Sequence, residues 1–204
     1  MKINKKIFII VLLILFFILG IFIFKNMFKN KKIGKNMSSQ EIVDYILNIN
    51  SYKTNITVQV NSNKNTNKYI INQEYSEENS SIQEVIEPKN IAGVKIIRKS
   101  GNLTIENTKM DLAKIFENYK GLEENYLDLI TFIEDYKNNE KSNYEEKENE
   151  IIMKTQNTKN KYTENKTLYI NKDTKSPTKL VIEDNNQNTT IFIQYNEVKL
   201  NIEE

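Results

Sequence analysis

Glu145, Glu146, Glu148 and Glu150, with Glu140 close by, are the residues of this chain whose spacing comes nearest to acid–base or metal chemistry. Two carboxylates hydrolyse a glycosidic bond when they face each other across a cleft. Clustered carboxylates hold calcium when they recur at fixed offsets around a turn glycine. No glycine lies between Asn138 and Glu150, and the acids are interleaved with Lys, Asn and Ser. That mixture reads as a solvated face or loop. The other usual catalytic types are missing. The 204 residues include no histidine and no cysteine, which removes zinc sites, Ser-His and Cys-His nucleophiles, thiolate chemistry and disulfides. Arg98 is the only arginine, so bidentate clamps on phosphate or carboxylate are nearly excluded. The glycines form no phosphate-binding fingerprint. No catalytic, metal-binding or cofactor-binding residue is assigned, no cofactor is expected, and residue pattern does not specify the partner-binding surface. The eleven tyrosines all lie beyond residue 28. A large ring with a polar tip suits an interface or a half-polar cavity, but in a chain without tryptophan the expectation is that tyrosine fills the core.

The elements that would position these residues begin with an apolar run. Ile7 to Phe24 holds 18 residues without a charge, fenced by Lys2, Lys5, Lys6 and Lys25. As a helix it would reach ~27 Å, close to the hydrocarbon thickness of a bilayer. A cleavable signal would have a shorter core and a small-x-small site, so the run is expected to be a retained signal anchor. Residues 1–28 are read as a short cytoplasmic tail and transmembrane anchor, 29–37 as a basic stem, and 38–204 as one extracytoplasmic domain. Lysines follow the run more densely than they precede it, which runs against the positive-inside rule. The very short tail and the large β-rich domain favour the exported orientation. Residues 1–36 carry eight lysines and no acid, leaving 21 basic against 27 acidic groups in the remainder, a balance of −6. The stem suits anionic headgroups, whereas an acidic domain excludes nucleic acid as a partner.

Within the domain, Ser38-Ser39-Gln40-Glu41 has capping-box spacing, and Ile42, Tyr45, Ile46 and Ile49 continue it as an amphipathic helix, widened by Val43 and Leu47. From Tyr52 the period becomes two: Tyr52, Thr54, Ile56, Val58 and Val60 alternate with polar residues as in a half-buried strand. Tyr69, Ile71 and Tyr75 mark the returning strand. A third strand is expected at Ile82–Ile86, ended by Pro88, and a hairpin is expected around Lys99-Ser100-Gly101-Asn102. Leu112, Ile115, Phe116 and Tyr119 predict a short helix. Leu122, Tyr126, Leu129, Ile130, Ile133 and Tyr136 predict a long one, with Ile130 fully buried in mid-stripe and Glu124 and Asp128 on the polar side. Short strands follow at Ile151–Met153, Leu168–Ile170, Leu180–Ile182, Ile191–Tyr195 and Val198–Ile202. The order predicts an α+β fold, a meandering, curved antiparallel sheet with helices against one face.

The stretch Leu168 to Asp184 runs from a strand through the turn Asp173-Thr174-Lys175-Ser176-Pro177 into a second strand, and Ile191 to Asn196 supplies a third. This pattern resembles the lipoprotein-carrier (LolA-like) fold. The resemblance extends over residues 38–202 and implies an unclosed antiparallel β-barrel with helices in its concave face. Within that fold the composition is similar to clostridial germination lipoproteins of the GerS type. The resemblance then implies a non-enzymatic protein of the sporulating cell, partnered with a cell-wall (cortex) amidase of the CwlD type and active in sporulation or germination. Those proteins carry a lipidated cysteine. This chain has none, so the apolar span would replace the lipid as tether. The 13 residues between Phe24 and Ser38 reach at most ~45 Å, too short for a shuttle across an aqueous space. An alternative occupant of the concave face is an apolar ligand, which would make the protein a tethered lipid or lipoprotein sensor or chaperone.

Overall fold

Local hydrogen bonding starts the first helix as the sequence requires. Helix α1 spans Ser39–Leu47, and Ser38 caps it. The Glu41 backbone N–H donates to Ser38 Oγ at 3.3 Å, and the Ser38 N–H donates to Glu41 Oε2 at 2.7 Å. Both halves of the capping box are therefore present. Ile42, Val43 and Ile46 are buried on its inner face. These coordinates are a computed structural model that describes residues 37–76, 80–107, 109–117, 126–157 and 160–201. The apolar run 7–24, most of the stem, Tyr119, Leu122, Glu124 and Ile202 lie outside the described residues. Among those described, no helix is long and apolar enough to cross a membrane.

Eleven strands follow: β1 Ser51–Asn61, β2 Thr66–Ser76, β3 Ser80–Glu87, β4 Val94–Lys99, β5 Asn102–Asn107, β6 Leu112–Phe116, β7 Asn143–Glu146, β8 Glu150–Gln156, β9 Asn165–Asn171, β10 Ser176–Glu183 and β11 Thr189–Leu200. They form one sheet in the order β6-β5-β4-β3-β2-β1-β11-β10-β9-β8-β7. Each strand pairs antiparallel with its sequence neighbour, except at the centre, where β1 pairs with β11. The sheet is unclosed, with β6 and β7 as its edges. A compact unit, Ser38–Glu204, contains it and is distinct from residues 1–37.

Alternation places the core. Tyr52, Thr54, Ile56 and Val58 of β1 are buried, as are Ile193 and Tyr195 of β11, Leu180 and Ile182 of β10, and Leu168 and Ile170 of β9. Ile56 faces Ile71 on one side and Tyr195 on the other, so buried apolar side chains gather on one face at the sheet's centre. Helix α2, Leu129–Asn138, packs on this face beside α1 and β8.

Three expectations need correction. Leu112–Phe116 is a strand, because its backbone pairs with β5 from Leu103↔Phe116 to Asn107↔Leu112. Its helix-like spacing corresponds to no buried face, since Leu112 and Ile115 are 58% and 63% exposed. Ile191–Tyr195 and Val198–Leu200 belong to one strand, β11, whose pairing with β1 shifts register between Asn55 and Ile56, beside the polar pair Asn196-Glu197, and continues to Leu200. Ile130 is half-buried. Because α2 starts at Leu129, residues 129, 132, 133 and 136 share its inner face at 100° per residue. Leu129, Phe132 and Ile133 are 1–2% exposed, and the Phe132 and Tyr136 rings lie 6.0 Å apart. Ile130 flanks that row.

This geometry moves the sensitive position. Phe132→Ala should destabilise the protein by ~3–5 kcal/mol and lower its thermal midpoint by roughly 10 °C. Ile130→Ala should give less than half that shift, and Glu134→Ala on the exposed face should change little. Thermal unfolding followed by circular dichroism compares the three. Equal effects at Phe132 and Ile130 would refute the assigned face.

Candidate functional site

Helix α2 is held at its first turn by side chains from four strands. Gln73 Nε2 on β2 donates to the Leu127 carbonyl at 3.0 Å. On β3, Ser81 Oγ and Gln83 Nε2 donate to the Asp128 carboxylate at 2.9 and 2.7 Å. Arg98 Nη1 on β4 reaches the same carboxylate at 3.3 Å. On β1, the Tyr52 hydroxyl accepts from the Leu129 N–H at 3.3 Å. Asp128 is only 4% exposed, so its charge is compensated almost entirely by protein donors. A buried carboxylate is tolerated only with such partners. The expectation that Asp128 lies on a polar outer face is thus corrected. It is the N-cap of α2 and turns inward because its donors lie there.

Two phenols flank the latch. Burial pushes the Tyr52 hydroxyl well above the usual tyrosine range, and the Asp128 charge adds to the effect. Burial, then the same carboxylate, raises Tyr195 as well. Both rings stay protonated at physiological pH, so neither offers a base. Among the described residues, the Tyr195 hydroxyl, Gln73 Oε1 and Arg98 Nε are buried without hydrogen-bond partners. A carboxylate saturated by donors beside neutral phenols is suited to holding a helix and has no arrangement of nucleophile and base.

A second polar cluster lies under the other end of α2. Lys166 on β9, with its side chain 1% exposed, forms an ion pair with Asp135 and lies 4.8 Å from the centre of the Tyr126 ring. Asn157 Nδ2 donates to Asp135 Oδ1 at 2.7 Å. Polar groups from the sheet therefore engage α2 at both ends, and between them Leu129, Phe132 and Ile133 fill the hollow.

The two sheet edges differ. On β7, Glu145 pairs with Lys154 at 3.1 Å and Glu146 with Lys172. Both glutamates are exposed, in keeping with the solvated acidic run read from the sequence. Charged side chains of this kind discourage a further strand from adding. On β6 and the turn before it, Met110, Leu112 and Ile115 are exposed at 58, 58 and 63%. Leu112 shares the concave face with Ile105, itself 38% exposed, because both belong to the register row of Leu103 and Asn107. Among the described residues, the β6 edge therefore combines backbone groups outside any strand pairing with apolar side chains.

The sequence assigned no site residue. The Asp128 latch was missed because its carboxylate partners stand 30 to 47 residues upstream. Two signals did exist. Gln73 and Gln83 sit at inward positions of alternating strands, and Asp128 precedes an apolar run as an N-cap does. Of the eleven tyrosines, Tyr52 and Tyr195 are core residues as expected, while Tyr162 is 63% exposed.

Comparison with known proteins follows the fold. The family model described as sporulation protein YdcC-like matches residues 5–204. Among solved structures, the chain is similar to the GerS lipoprotein in complex with the CwlD amidase from Clostridioides difficile, with 24% identity, a TM-score of 0.51, and 80% of this chain and 96% of the other covered. An uncharacterised conserved protein from Thermus thermophilus aligns at 12% identity and a TM-score of 0.49, covering 80% and 88%. A LolA superfamily protein from Nitrosomonas europaea aligns at 12% identity and 0.40, covering 83% and 96%. The likeness to the GerS structure shows a shared fold. No curated protein matches this chain.

The unpartnered phenol gives a test of the latch region. Folded Tyr195 has a raised pKa, so the stability it contributes is complete below the ordinary tyrosine value of 10.0 and is lost as pH rises beyond it, when the unfolded chain releases the proton first. Tyr195→Phe should therefore flatten the alkaline loss of stability above pH 10.0. At neutral pH it should leave stability unchanged or raise it, since a buried hydroxyl without a partner is removed. Urea unfolding across pH measures both. A marked loss at neutral pH would show that the hydroxyl is engaged.

Proposed function

The chain belongs to the YdcC-like family of sporulation proteins, and on that footing we propose that it is a membrane-anchored, non-enzymatic binding protein whose partner is a cell-wall amidase of the CwlD type, acting in sporulation or spore germination. The observation that carries this reading is the combination of family membership with a GerS-like fold, since GerS is found in complex with CwlD. The residue types agree with it. The buried carboxylate of Asp128 and the half-buried one of Asp135 are committed to structural contacts, the exposed Glu145 and Glu146 pair with lysines, and histidine and cysteine are absent. The apolar run Ile7–Phe24 supplies the tether in this proposal, with residues 29–37 as stem and the folded domain on the extracytoplasmic side.

The β6 edge is the docking surface that best suits a protein partner. A strand edge gives main-chain hydrogen bonds, and Met110, Leu112 and Ile115 supply apolar contacts. The alternative of an acyl-chain ligand finds less support, because α2 occupies the hollow with residues 1–2% exposed.

Co-purification of the full-length, detergent-solubilised protein with its cognate amidase tests the reading. A complex should form at micromolar concentration, and Leu112→Lys should weaken it by about tenfold or more without lowering the thermal midpoint, because an exposed apolar contact is lost from the interface alone. Two folded proteins that stay separate would end the proposal. A complex indifferent to Leu112→Lys and Ile115→Lys would remove β6 as the docking edge.

A further inference from the structure

Three loops converge at the end of the sheet where β1, β8 and β10 finish. They are the β1–β2 turn at 62–65, residues 160–164 before β9, and the β10–β11 turn at 184–188. An open groove of about 960 Å³ lies among them. Its lining includes Val60 and Ile191, a cross-strand pair that gives an apolar strip. Around that strip stand carboxamides and hydroxyls, chiefly Asn63, Asn65, Thr163 and Thr189. Tyr162, 63% exposed, also lines the groove.

Two features of this lining bear on what it could receive. Thr163 is only 6% exposed, and among the described residues its hydroxyl has no hydrogen-bond partner. A buried hydroxyl is seldom left unpaired, and a ligand in the groove would satisfy it. The charges, in contrast, are largely spent. Asp184 Oδ1 accepts from the Asn186 and Asn188 N–H groups at 2.9 and 2.8 Å, and Oδ2 accepts from the Asn188 carboxamide at 3.0 Å. The Asn188 hydrogen bonds hold this carboxyl below its usual range. Lys64 is the other charged residue of the lining. The lining carries one cation and one committed anion, with Lys161 Nζ 5.2 Å from the Tyr162 ring centre as a further cation beside it. So sparse a charge suits neither a polyanion nor a charged peptide, and the amide walls do not suit an acyl chain.

We propose that this groove binds a neutral glycan chain bearing acetamido groups, with the Tyr162 ring stacked on a sugar face. A sugar presents C–H bonds on its flat face and hydroxyls at its rim, and an exposed aromatic ring with amide neighbours matches both. The acetamido C=O and N–H pair with the carboxamides of Asn63 and Asn65, whose side chains make no hydrogen bond among the described residues. The acetyl methyl lies on the Val60–Ile191 strip, and a sugar hydroxyl pairs with Thr163. The location suits an extended ligand. Ser38, where the domain begins, sits at the opposite end, with Ser39 against Glu146 and Gln40 accepting from the Tyr144 hydroxyl at 3.1 Å. The groove thus opens at the end of the domain remote from Ser38.

The inference does not depend on the amidase. Isothermal titration of the full-length protein in detergent with tetra-N-acetylchitotetraose should show saturable binding, with cellotetraose, which lacks acetamido groups, weaker. Tyr162→Ala should weaken binding by about tenfold, the scale of one lost aromatic contact, while Tyr162→Phe retains it and Thr163→Val reduces it. Tyr162→Ala should leave the melting temperature and amidase co-purification unchanged. Absence of chito-oligosaccharide binding at millimolar concentration, or equal affinity in Tyr162→Ala, overturns the proposal. Equal affinity for cellotetraose overturns its acetamido component, and preferential binding of a neutral tetra-alanine peptide replaces the glycan with a peptide.

Discussion

A single carboxylate ties the two halves of this domain together. Asp128 starts the helix that packs with α1 and β8, yet its donors come from β3 and β4 on the far side of β1. Burying a charge is costly unless donors replace its hydration, and here three side chains do so. Removing any one leaves the carboxylate or its neighbours short of partners in a dry environment, where such deficits are large. The position of α2 is therefore fixed by polar constraint at its ends and by apolar filling between them. The same constraint explains why this chain keeps one arginine. Arg98 reaches from β4 across to Asp128, and the guanidinium keeps its charge when partly buried more readily than an ammonium does.

Sheet and helices divide their labour. Strands β1 and β8–β11 carry most of the buried apolar residues and support both helices. The β4–β6 wing is thinner. Every residue of β4 is half-buried or exposed, and β6 is largely open. Among the described residues, one edge of the sheet is guarded by ion pairs and the other is not. An edge with apolar side chains and no such ion pairs is a hazard for aggregation unless something covers it.

The parts readable from the sequence were those whose physics is local. The capping box at Ser38 involves residues three apart, and β1 shows its burial in strict alternation. The hairpin at Lys99–Asn102 was legible from Ser100-Gly101, both of which adopt positive φ, at 51° and 78°. Strand β6 was not legible, because an exposed edge strand has no burial pattern, and Leu112, Ile115 and Phe116 happen to fall at helical spacing. Only pairing with β5 decides its conformation. The α2 stripe was recognised, but its starting residue sets which side chains turn inward, and that start is fixed by distant Ser81, Gln83 and Arg98. The groove at Tyr162 was invisible for the same reason, since its walls come from three separate stretches of chain.

The central place of β11 has a consequence for how the protein comes into being. It is the last of these strands to leave the ribosome, yet it lies between β1 and β10. Before Thr189–Leu200 is available, β1–β6 and β7–β10 are separate meanders, each with an open inner edge. Assembly of the full sheet must therefore wait until β11 has been made, and pairing β1 with β11 closes a loop longer than a hundred residues, a slow event by the topology rule. A chain cut short before β11 would yield not a smaller sheet but two unfinished ones.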